Sequence, residues 1–137
     1  KLPFGMGFYK QGPLLKLRLP NGRELSYVKP RIDDDSITYE GTIQSSGGWG
    51  RIESYGPKLV ENIVQATARD CLAVAIDRLE RAGFPVVFHV HDEVICEVPI
   101  GVSSAEEISK IMSEPIAWAT GLPLKADAYE CEYYRKD

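Results

Sequence analysis

Three consecutive ionisable residues, His91-Asp92-Glu93, lie between two apolar runs at residues 86–90 and 94–98. Burying an unpaired charge costs several kcal/mol, so such a triplet belongs at a surface turn or in a site that supplies partners. The carboxylate oxygens of Asp92 and Glu93 are hard donors that suit Mg²⁺ or Mn²⁺. A turn role alone would also account for Asp92, whose side chain can bond its own backbone. A zinc hydrolase is a poor fit. It would want two histidines four apart on a helix, and the only two here, His89 and His91, are two apart in an apolar run. The Asp33-Asp34-Asp35 run is not read as a metal site, because consecutive carboxylates diverge on any regular backbone; a solvated loop is expected there.

A second set is Lys58, Asn62, Gln65 and Arg69, spaced four, three and four. That spacing places them on one helical face. A plain solvated face is the simpler account, but such faces are usually built from Lys and Glu. Amides both donate and accept, and they can meet the acceptors that every base pair presents in the minor groove. A third set, Lys16, Arg18, Arg23, Lys29 and Arg31, is a basic stretch around Asn21-Gly22. It fits either phosphate contacts or protection of a sheet edge.

The elements that position these residues follow from periodicity. Leu15, Leu17 and Leu19 alternate with Lys16 and Arg18, and Leu25, Tyr27 and Val28 follow Pro20-Asn21-Gly22, which predicts a hairpin over 14–28. Pro30 should confine the return strand to an edge or an end. Residues 1–13 read as an irregular lead-in, residues 37–43 as a further short strand, and Trp49 to Tyr55 as loop. From Lys58 to Ala82 the pattern is helical, with Val60, Val64, Ala68, Cys71, Ala75, Leu79 and Ala82 as the expected buried stripe and Gly83 as the stop. Two strands should flank His91-Asp92-Glu93. Ser103-Ser104 opens a shorter helix running to about Ser113, and residues 124–134 read as a last strand. The fold class is α+β: antiparallel hairpins packed on one long and one shorter helix. One domain is expected over 1–137, β-rich over 1–56, with the helices and the acidic hairpin over 57–137.

Composition bounds the function. With 137 residues, 44% apolar and 26% charged, the chain is neither disordered nor fibrous, and no apolar run approaches a membrane span. Residues 1–60 carry nine Lys/Arg against six Asp/Glu, and residues 61–137 carry seven against fourteen, within a total of −4. Any nucleic-acid contact must therefore be local, since screening limits a charge's reach to about 8 Å at physiological salt. Cys71, Cys96 and Cys131 are odd in number and far apart, which argues for small core residues in a reducing compartment. The opening residues show no apolar core of the signal-peptide kind, and the cysteine usage favours a cytoplasmic compartment.

The stretch YGPKLVENIVQATARDCLAVAIDRLERAGFPVVFHVHDEVICEVP resembles the C-terminal palm region of family A DNA polymerases, the DNA polymerase I type, and its phage and prophage branch most of all. Gln65-Ala66-Thr67-Ala68-Arg69-Asp70 is similar to that family's Q-x-T-x-x-D helix, and Val90-His91-Asp92-Glu93 to its motif C, V-H-D-E. LPNGRELSYVKPRI and WATGLPLKADAYECEYYRK resemble flanking segments of the phage branch.

The resemblance implies a DNA-directed DNA polymerase. It implies that Asp92 binds the catalytic divalent ions, two Mg²⁺ or Mn²⁺ in the intact enzyme, with Glu93 in a secondary catalytic role. His91 would lie near the primer terminus, and Gln65 would touch the template–primer minor groove. On the helical-face spacing, Lys58 and Arg69 would add contacts to DNA beside Gln65; Asn62 stands three before Gln65, where the family commonly has Asn four before. Primer–template DNA, dNTP and the upstream fingers and palm of the same enzyme are the implied partners, in a bacterial host's cytoplasm and not at a membrane. The family's motifs A and B have no counterpart in these residues, so the isolated chain is expected to be inactive. The alternatives are a non-catalytic nucleic-acid-binding module, which needs Gln65 but not Asp92, a metal-dependent hydrolase, and a purely structural role.

Overall fold

A computed structural model of the chain describes residues 2–33, 36–102 and 104–134. Two compact units divide inside the long helix, Lys1–Thr67 and Ala68–Asp137. The architecture is α+β. In the first unit, β1 (Gly7–Gln11), β2 (Leu14–Arg18), β3 (Glu24–Asp33), β4 (Ser36–Thr42) and β5 (Trp49–Ser54) form one antiparallel sheet in sequence order. Leu17 and Leu19 are fully buried and Tyr27 nearly so, as the leucine alternation predicts. Leu19 and Arg23 close a three-residue loop in which Gly22 takes φ 88°, and Asn21 Oδ1 accepts from the Arg23 amide at 2.9 Å. A residue without a side chain is the natural choice at that angle.

The structure corrects three local expectations. Residues 7–11 form β1, paired with β2 from Gly7↔Arg18 to Gln11↔Leu14, where an irregular lead-in was expected. Residues 49–54 form β5 where a loop was expected. Pro30 does not end β3 or put it at an edge. The register shifts between Val28 and Arg31, and Lys29 turns to φ 42°, so a bulge absorbs the residue that has no N–H to give. Asp33 ends β3 and accepts a hydrogen bond from Ser36 Oγ at its carbonyl; Asp34 and Asp35 lie outside the described residues.

The helix α1 runs Gly56–Arg81, with Pro57 in its first turn. Its end has the Schellman pattern. Gly83, at φ 87°, donates to the Glu80 carbonyl at 3.2 Å, and Phe84 donates to the Leu79 carbonyl at 3.0 Å. The buried stripe is not the one expected over its whole length. Ala75 and Leu79 are buried as expected, but Val60, Val64, Ala68 and Ala82 are not, and the buried positions include Ala66, Asp70 and Leu72. The valines mark an apolar face that is left exposed. Asn62 and Ala66 face β3 and the loop before it, through Tyr27 and Arg23.

In the second unit, β6 (Val86–Val90) and β7 (Glu93–Cys96) form an antiparallel hairpin, followed by α2 (Ala105–Ser113) and a short 3₁₀ turn at Ala117–Ala119. Ser104 precedes α2 and its amide donates to Glu130 Oε1 at 3.0 Å; its side chain makes no capping bond, and Ser103 lies outside the described residues. Arg78 reaches from α1 to the Glu114 and Pro115 carbonyls, both at 2.8 Å. The last strand expected over 124–134 does not form among the described residues. The segment there is tied instead by α2: the Ala126 amide donates to Ser113 Oγ at 2.9 Å, and Ser109 Oγ donates to the Ala126 carbonyl. Side chains answer the polar backbone that a neighbouring strand would otherwise satisfy.

Leu79 is fully buried and Val64 is 62% exposed. Leu79→Ala should cost about 2–5 kcal/mol, and Val64→Ala should stay within about 0.5 kcal/mol. Urea melts of the two variants check this; equal losses would mean that α1 is packed on its other face.

Candidate functional site

The β6–β7 hairpin fixes the acidic triplet. Val90 pairs with Glu93 and His89 with Val94, so only His91 and Asp92 are left to reverse the chain. A two-residue hairpin loop needs positive φ, usually supplied by Gly or Asn. His91 takes φ 51° without being glycine. A non-glycine residue held there costs on the order of 1–3 kcal/mol, and such residues concentrate at functional positions. His91, Asp92 and Glu93 are all exposed.

Glu93 has a partner that the sequence did not reveal. Tyr134 Oη donates to Glu93 Oε2 at 3.2 Å, and the Tyr134 ring meets Phe88 edge-on, with centroids 5.1 Å apart and planes at 77°. Desolvation and then the Glu93 carboxylate raise the Tyr134 hydroxyl above the ordinary tyrosine range. Tyr134 lies 41 residues beyond Glu93 in a stretch read as a strand, and no periodicity links the two.

The second candidate set divides. Lys58 Nζ is paired with Glu61 Oε2 at 2.9 Å, and that contact raises its pKa. Asn62 is half-buried, and its Nδ2 donates to Tyr27 Oη at 3.2 Å, so one end of its amide is committed to the unit's interior. Gln65 is exposed, with no side-chain hydrogen bond among the described residues. Arg69, in the second unit, is likewise exposed.

The basic hairpin is largely answered from within its own sheet. Lys16 donates to Ser26 Oγ at 2.8 Å. Arg18 lies 3.6 Å from Glu24 and 5.6 Å over the Tyr9 ring. Lys29 and Arg51 share Glu40, at 3.1 and 3.5 Å, and Lys29 holds the Glu40 carboxyl below its usual range. Arg23 donates to the Ala66 carbonyl.

Asp92 is an exposed carboxylate on a short turn, which suits one ligand of a hard divalent ion. Among the described residues, no three His, Cys, Asp or Glu side chains converge to hold a metal. Asp92 thus offers a single hard donor, and the described residues do not complete a metal site around it.

No protein-family model matches the chain, and no solved structure matches it. A protein of Bacillus phage SP02 named DNA polymerase is 50% identical to it over 143 residues. The whole chain is homologous to part of a phage DNA polymerase. The match covers 100% of the chain and 22% of that protein, so the chain spans about a fifth of its relative's length. Among the described residues, no helix is long and apolar enough to cross a membrane.

The Asn62–Tyr27 bond yields a prediction with a definite sign. Burial raises the Tyr27 hydroxyl above the ordinary tyrosine value of 10.0, and the bond from Asn62 pulls it back. Asn62→Ala should raise it further and cost about 1 kcal/mol. Because the folded value is the higher one, Tyr27's contribution to stability is complete below the unfolded tyrosine pKa and is lost as pH rises through the folded value. Tyrosine ring-carbon NMR across alkaline pH, with urea melts at neutral pH, measures both; a downward shift in the variant would contradict the assigned bond.

Proposed function

We propose that this chain is the C-terminal palm portion of a family A, phage- or prophage-type DNA polymerase, taking part in template-directed nucleotidyl transfer in the cytoplasm of a bacterial host. The observation that carries this reading is the 50% identity, across the whole chain, to the phage DNA polymerase. The strained turn holding Asp92 at the tip of an otherwise apolar hairpin supports the assignment of that residue.

In this reading Asp92 offers its carboxylate from the turn as one of two aspartate ligands, the other lying in the upstream palm. When bound, a pair of Mg²⁺ or Mn²⁺ ions supplies Lewis-acid activation of the primer hydroxyl and charge neutralisation at the leaving pyrophosphate. Glu93 acts beside Asp92 in a secondary role. His91, held at its positive φ, faces the primer terminus. Gln65, with its amide exposed, contacts the minor groove, where the acceptors of the base pairs are nearly alike and binding is independent of sequence. Lys58 and Arg69 add phosphate contacts, and their affinity falls with salt as counterions are released. Asn62 has one side-chain nitrogen engaged with Tyr27, so it supports this face of α1 from behind and offers DNA only its remaining amide groups.

The test is a chimera in which the chain replaces its homologous segment of the phage polymerase. The chimera should extend a primer, and the isolated 137 residues should not, with any metal or nucleotide. Gln65→Ala in the chimera should weaken primer–template binding by about 1 kcal/mol, the net worth of a typical hydrogen bond. A chimera that folds and binds duplex yet never extends a primer would contradict the proposal.

A further inference from the structure

Within the first unit, the opening turns of α1 face three ways. Asn62 and Ala66 take the bonds to Tyr27 and Arg23. Lys58 and Gln65 stand exposed on the polar side. The third side is apolar and also exposed: Val60 by 58% and Val64 by 62%. The two valines are one turn apart, with Pro57 three residues before the first and Thr67 three after the second, so the four form one row. The row carries no ionisable side chain, and the charge beside it, Glu61, is held by Lys58 at 2.9 Å. Valine is a poor choice for a solvated helix position. Its branched side chain loses rotamer freedom there, and Lys, Glu and Gln are better helix formers. Two valines in register on an exposed side call for a cover.

Chemistry and size narrow what that cover is. A nucleic acid fits poorly, since the row offers no cation to a phosphate and no amide to a base edge. A second copy of the chain fits poorly as well, because two valines are a small part of the roughly 800 Å² that each partner buries in a stable interface. A patch this small suffices when its partner is joined to it covalently, because linkage raises the effective concentration. The chain matches only 22% of the phage DNA polymerase to which it is 50% identical, so most of that protein lies outside the match. We infer, resting on the proposed function, that the Val60–Val64 row is the seat on which the upstream body of the same polymerase packs, through an apolar, uncharged surface. The opening turns of α1 then divide their sides between the sheet, the polymerase body and DNA. Gln65, one residue and about 100° round the helix from Val64, is left clear of that body.

The experiment is thiol labelling at introduced cysteines, in the 137-residue chain and in the chimera that carries it within the phage polymerase. The tryptic peptide between Lys58 and Arg69 holds no native cysteine, so mass spectrometry reads each position cleanly. In the isolated chain, Val60→Cys and Val64→Cys should label nearly as fast as the exposed Cys131. In the chimera they should label at least about tenfold more slowly, because a covered residue is reached only through local opening. Ala66→Cys, on the buried side of the same turns, should be slow in both and verifies folding. Gln65→Cys should be fast in both and slow only when primer–template is added. Valine positions that label as fast in the chimera as in the isolated chain overturn the inference. So does protection that appears in the isolated chain as its concentration rises, which makes the cover a second copy, and so does protection that needs primer–template, which makes it DNA. Failure of the underlying reading looks different. Slow valine positions in a chimera that extends no primer support the seat and sink the polymerase assignment, whereas fast ones in a chimera that does extend a primer sink the seat alone.

Discussion

The pairing of Val90 with Glu93 is the constraint on which the candidate chemistry depends. It leaves two residues to turn the chain, so His91 must take a conformation that its side chain disfavours, and Asp92 is held at the tip. A longer loop would relieve His91 but would let Asp92 wander. The backbone pairing Phe88↔Ile95, His89↔Val94 and Val90↔Glu93 holds that register up to the turn. Tyr134 donates a hydrogen bond to Glu93 Oε2, and its ring meets Phe88 edge-on.

In the first unit, electrostatics separates residues that look alike in sequence. Lys16, Arg18, Lys29 and Arg51 each bond within their own sheet. Most of the hairpin's positive charge therefore stabilises the sheet before it meets any phosphate, and the exposed pairs among these contribute little individually. Gln65 differs, since its amide is exposed and uncommitted among the described residues. Within the polar stripe, Lys58 and Asn62 are engaged by local side chains, whereas Gln65 and Arg69 stand exposed.

Much of the fold was legible where a local rule had no competitor. The leucine alternation found Leu17 and Leu19, Asn21-Gly22 marked a tight loop, Gly83 marked the end of α1, and the two apolar runs around His91 found β6 and β7. Legibility failed where the outcome depends on a distant neighbour. β1 and β5 carry weak patterns of their own and form because β2 and β4 offer edges to pair with. Val60 and Val64 have the right spacing to be buried but are exposed, while Asn62 and Ala66 take the bonds to Tyr27 and Arg23. Pro30 broke a rule about edges because a bulge next to it made room. At the candidate site, the types and order of His91, Asp92 and Glu93 were readable, whereas the bonds from Tyr134 to Glu93 and from Asn62 to Tyr27 join residues 41 and 35 positions apart, and no local pattern encodes either.

The proposed function turns on Asp92 being a metal-binding carboxylate of a polymerase. The most direct measurement is single-turnover primer extension by the phage-polymerase chimera carrying Asp92→Asn, with duplex affinity measured on the same protein. The substitution keeps the size of the side chain and removes its charge, so extension should fall by orders of magnitude while primer–template binding stays near the parental value. Extension at the parental rate would show that Asp92 holds no catalytic ion and that the turn at His91-Asp92 has another purpose.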